Sequence, residues 1–271
     1  MLMNLNKLHA HAFITFEAVR VPLDVIFNRA IQSDKATNIT TIVQQFNSAM
    51  KPWRIKVKYT EQETTLPNKE GHFYPYMVGI CDDPVHPESL ARIIITLNVH
   101  PKVRRLSLIS EAWGNFQYQF YQTILHELVH RAQFKHGYRR NSSLTFRHSA
   151  DADTRHSKVS ETKALRKEQR YLGEIDEIEA YARDLVEDFY YFWPDSPLSI
   201  RKLKKLFKEQ DDRLYTIRYY SAAYNGDLKH PAVVRLFRKV KQWNKLITPL
   251  AGSLMSCPTY VRFALKGITP E

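Results

Sequence analysis

Glycine is scarce in this chain. There are 8 in 271 residues, against 25% charged residues, and this argues against a many-stranded barrel or sandwich, whose tight turns use glycine heavily. Cysteine is scarcer still: Cys81 and Cys257 cannot make a disulfide framework. Long apolar runs are missing, because charges interrupt every stretch before the roughly 18 consecutive apolar residues that span a bilayer. The opening residues, MLMNLNKLHAHAF, lack the basic segment and uninterrupted apolar run of a secretory leader. These absences lead us to expect a cytoplasmic protein in a reducing compartment, with no membrane partner.

Negative charge is also short, with 28 Asp and Glu against 40 Lys and Arg, a net charge of +12 and a pI near 9.6. Such a surface favours anionic partners, nucleic acid among them. What is present is 44% hydrophobic and 12% aromatic residues, enough for a substantial core. Stretches rich in Leu, Lys, Glu and Arg favour helix. We therefore expect an α+β, helix-dominated fold built as a single domain over residues 1–271.

Along the chain, Phe13, Phe16, Val19, Val25, Ile26 and Ala30, then Ile39, Ile42, Val43, Phe46 and Met50, recur at helical spacing, so residues 1–50 read as two packed helices. Pro52 ends that pattern. WRIKVKYT then alternates Trp53, Ile55, Val57 and Tyr59 with Arg54, Lys56 and Lys58, as a half-buried strand does. Further strands are expected over 72–80 and 92–99, the last apolar on both faces, forming a small and mostly antiparallel sheet. Trp113, Phe116, Phe120, Ile124 and Leu128 carry a long helix from Ser110 to about Gln133, and residues 51–136 thus hold the sheet and that helix. Residues 137–170 have few apolar side chains and no period until their last ten, and read as a mobile loop leading into a helix. Residues 171–271 return to helix, with basic outer faces.

The run HELVH falls near the end of the long helix. Residues four apart on a helix differ by only about 40°, so His126 and His130 can present their imidazoles to one ion. Glu127 lies roughly 100° from one and 60° from the other, beside the ion rather than on it, where a general base for a bound water must stand. A zinc ion with three protein ligands, one ion per chain, keeps a position for that water and lowers its pKa. Two sources offer the third ligand. Glu177 in EIDEIEAYARD shares a helix face with the small Ala180, so its helix can approach closely; Glu174 and Glu179 are its neighbours. His136 in HELVHRAQFKH has the spacing of a metzincin's third histidine, and SLMSCPTY with Met255 looks like a Met-turn, but Gln133 stands where that family has its turning glycine. Tyr181, Tyr219, Tyr220 and Tyr224 are available to steady an oxyanion, and spacing does not choose among them.

HELVHRAQ followed by EIEAYA resembles the zincin superfamily of zinc metallopeptidases in its gluzincin-like form, over roughly residues 90–190. The resemblance implies His126, His130 and Glu177 as ligands, Glu127 as catalytic base, and a protein or peptide substrate held extended along an edge strand, for which Ile93 to Val99 is the candidate. The pairing of HExxH with a basic surface is also similar to SprT-like proteases that act on DNA-bound proteins. The other function class is a basic nucleic-acid-associated or interaction protein, with HELVH as a structural or relic zinc site and Arg201, Lys202, Lys204, Lys205, Lys208, Arg235, Arg238, Lys239, Lys241 and Lys245 as its contact surface.

Overall fold

A computed structural model describes residues 5–33, 37–61, 76–82, 91–101, 105–106, 110–135, 161–211 and 213–254. Its chain divides into two compact units, Met1–Ala152 and Asp153–Glu271. The fold is helix-dominated α+β, as composition suggests. Among the described residues no helix is long and apolar enough to cross a membrane.

In the first unit, α1 (Leu5–Ser33) and α2 (Ile39–Met50) bracket the two-residue strand β1 (Thr37–Asn38), and Asn38 caps α2 by accepting from the Thr40 amide at 2.9 Å. A 3-10 turn at Lys51–Trp53 takes in Pro52, and Arg54 follows in a left-handed conformation, φ 53°, before β2 (Ile55–Glu61). Next come β3 (Tyr76–Cys81), β4 (Ile93–Val99) and β5 (Arg105–Leu106), then α3 (Ser110–Lys135). Ile55 and Val57 turn inward while Lys56 and Lys58 are exposed, as the alternation requires.

The main sheet has the order β2-β4-β3. β2 runs parallel to β4, with Ile55 opposite Ile93 and Glu61 opposite Val99, and β3 runs antiparallel to it, with Gly79 opposite Ile95. This corrects two expectations. The sheet is mixed rather than mostly antiparallel, because a period of two tells which face of a strand is buried and is the same for either pairing direction. β4 is the central strand and not an edge: Ile93, Ile95 and Leu97 are wholly buried, and Thr96 and Asn98 on its other face are buried as well, so only a strand flanked on both sides accommodates it.

The core of this unit is aromatic. Phe46 stacks on Phe120 with centroids 4.6 Å apart, and Phe27 meets Phe46, Trp113, Phe116, Phe120 and Tyr121 at 5.3–6.4 Å. α1 is tied to α3 by the Tyr121 hydroxyl, which donates to Asp24 at 2.6 Å, and by Gln117 Nε2 at 3.2 Å.

The second unit contains α4 (Glu161–Leu172), α5 (Ile175–Phe192), α6 (Ile200–Glu209), α7 (Tyr215–Ala223) and α8 (Pro231–Leu254). The last part of the expected loop is thus helical, where its apolar period begins; residues 137–160 lie outside the described residues. α5 is nearly all buried and packs chiefly on α8. Its Arg183, wholly buried, forks onto Glu187 of the next turn.

Candidate metal centre

α3 packs against β3, and this contact builds the first half of the site. His126, Glu127 and His130 lie in the last turns of α3. The helical offset brings Nε2 of His130 to 3.2 Å from Nε2 of His126. His130 is 1% exposed and its other nitrogen, Nδ1, stands 2.8 Å from Gln133 Oε1. With the proton on Nδ1 donated to Gln133, Nε2 keeps its lone pair for a metal. Gln133, one turn beyond His130, therefore orients that ring. Its three-residue spacing from His130 was the signal for this role.

Two imidazole nitrogens at about 2.1 Å from a tetrahedral ion stand roughly 3.4 Å from each other. The separation of 3.2 Å fits that arrangement.

Glu127 is buried at 5% exposure and lies against the backbone of β3 at Gly79. A methyl group on Gly79 would stand 2.5 Å from Glu127 Oε1 and 2.6 Å from its Cγ, so the strand has no side chain where the carboxylate lies. Arg131 is buried too, with the Cys81 thiol and Glu127 among its neighbours. Burial lowers the guanidinium's proton affinity more than these neighbours raise it. The sequence reading missed Gly79, Arg131 and Cys81. An isolated glycine inside a strand pattern was the one available sign.

No known family, curated protein or solved structure matches this chain. The site is therefore read from its own chemistry.

Within the second unit, Glu177 occupies the first turn of α5 and is wholly buried. Around it stand phenols: Tyr171 donates a hydrogen bond to Glu177, and Tyr181, Tyr219 and Tyr220 lie near enough for the carboxylate's charge to raise their pKa values, although burial is the larger cause for each. Its neighbours are differently placed. Glu179 is also wholly buried but is ion-paired to Lys239 Nζ at 2.6 Å, an attachment of α5 to α8. Glu174 is the N-cap residue of α5. Tyr220 and Tyr224, considered for an oxyanion, donate to the backbone carbonyls of Leu172 and Gln169 at 2.9 and 2.7 Å and so fasten α7 to α4. His136 and Met255 lie outside the described residues. His126 and His130 each offer one imidazole nitrogen of the kind that could hold a metal ion, and Glu177 offers a carboxylate oxygen.

Proposed function

We propose that the chain is a zinc-dependent metallopeptidase of the gluzincin-like kind, with His126, His130 and Glu177 as metal ligands and Glu127 as general base. The observation that carries this reading is the 3.2 Å separation of the two Nε2 atoms, with Gln133 behind one ring and a buried carboxylate beside the pair. The donor set of two imidazoles and a carboxylate is one that zinc accepts. When bound, zinc supplies Lewis acidity that acidifies water and polarises a carbonyl.

The rest is done by residues of the chain. Glu127 takes the proton from the attacking water and returns it to the leaving amine, and the bare backbone at Gly79 leaves its carboxylate room to lie. Gln133 holds the His130 ring, which keeps the metal-facing nitrogen in place. Among the described residues β3 is an edge of the sheet and packs against α3, so its outer backbone groups can pair with an extended peptide, a role that β4 at the centre cannot take.

The test combines metal analysis with turnover on an unfolded protein substrate. Wild type should hold one zinc per chain, His126→Ala and Glu177→Ala should lose it, and Glu127→Gln should keep it while losing hydrolysis by on the order of 100-fold or more. Iron in place of zinc would sink the zinc assignment, since the same donors serve ferrous ion. Equal turnover by wild type and Glu127→Gln would leave only a structural metal site.

A further inference from the structure

Four of the six acids of α5, Asp176, Glu177, Glu179 and Asp188, are buried. α8 carries no acidic residue along its whole length. Its Arg235, Arg238, Lys241 and Lys245 are all exposed. Their spacings of three, three and four residues set them on one side of the helix, in a stripe about 15 Å long. An ordinary solvated helix face mixes both signs, because like charges one turn apart repel. Here nothing on the helix offsets that repulsion, and an external polyanion would.

The apolar side of α8 is already used: Val233, Leu236, Val240 and Trp243 are wholly buried. A helix that lies on a membrane must offer such a side to lipid. Among its described residues α8 exposes one large apolar side chain, Val234, beside its cations, too little to seat the helix in lipid. Lys239 does not belong to the stripe, since it is committed to Glu179 at 2.6 Å. A second helix adds to the positive potential: α6 meets α8 through Phe207 and Phe237, centroids 5.7 Å apart, and exposes Arg201, Lys204 and Lys208.

We infer that the Arg235–Arg238–Lys241–Lys245 stripe of α8 binds the phosphodiester backbone of duplex nucleic acid, without reading its sequence. Binding of this kind releases the counterions condensed on the duplex and so falls steeply with salt. The inference does not depend on the metal centre.

The experiment is fluorescence anisotropy of the full chain with a short DNA duplex of arbitrary sequence, titrated between about 50 and 200 mM salt. Wild type should bind at the low end and lose affinity linearly on a log–log plot. The triple variant Arg235→Gln, Arg238→Gln, Lys241→Gln should flatten that slope by about 2.7, from about 0.9 per phosphate contact. All three positions are exposed and glutamine is a good helix former, so the fold is retained. A control triple, Lys51→Gln, Lys56→Gln, Lys58→Gln, removes the same charge from exposed positions of the first unit and should keep the wild-type slope. Three results would overturn the inference: no binding at about 50 mM salt, equal loss in the two triples, or binding to phosphatidylserine vesicles with none to the duplex.

Discussion

At the scale of single residues, Gly79 is where one methyl group has the most to disturb. The added carbon would meet three atoms of Glu127 at 2.5–2.9 Å, so the carboxylate must turn away or the strand must move. We expect Gly79→Ala to cost about 1–3 kcal/mol, as overpacking of a tight contact does, and to depress hydrolysis while metal content is unchanged. In a Glu127→Ala background the same methyl finds space and its cost should disappear. Urea unfolding of the four proteins in this double-mutant cycle measures the coupling, and additive losses would show that Gly79 does not cradle Glu127. HELVH was legible in the sequence because a four-residue interval has one meaning on a helix. The cradle was not, because a glycine in a strand does not name the side chain that lies over it.

At the scale of elements, β2 has an outer edge with no strand beside it among the described residues, and α2 covers part of it. Asn47 donates through Nδ2 to the Val57 carbonyl at 2.9 Å and accepts from the Val57 amide at 2.7 Å, so one side chain satisfies both outward groups of a buried residue. Asn47→Ala leaves these two groups unmatched, and a loss of about 1–3 kcal/mol is expected from the urea midpoint. An unchanged midpoint would mean that water replaces the amide at no cost. Element types followed closely from periodicity: α3 was expected from Ser110 to about Gln133 and runs Ser110–Lys135, α2 begins with its apolar row at Ile39, and α1 contains its row but begins earlier, at Leu5. Pairing did not follow, since β4 was expected at an edge and lies at the centre, with a parallel neighbour on one side and an antiparallel one on the other.

At the scale of the whole molecule, acids whose pKa values are shifted by folding should leave a pH signature. Burial raises the Asp24 carboxyl above its ordinary value more than Tyr121, Arg20 and Gln117 lower it. Burial likewise raises Glu187, against the opposing pull of Arg183. In both cases the folded chain binds more protons than the unfolded chain just above the ordinary carboxylate range. Stability should therefore fall as pH rises through that window. Asp211 works oppositely: Arg213 lowers its pKa, and the stability it contributes is lost as pH falls through the lowered value. Urea midpoints across pH for wild type and Asp24→Asn check this, and an unchanged slope in the variant would remove Asp24 from the account. The sequence alone determined the helix-dominated class, the period of each long element and the shared helix face of His126 and His130, because these depend on side chains near in sequence and on the local geometry of the backbone. Only the tertiary structure decided that β4 is central, that Gly79 underlies Glu127, and that Glu179 is committed to Lys239 while Glu177 sits among phenols. These are contacts between residues distant in the chain, or choices among equivalent partners, and they are settled by packing, which no local pattern records.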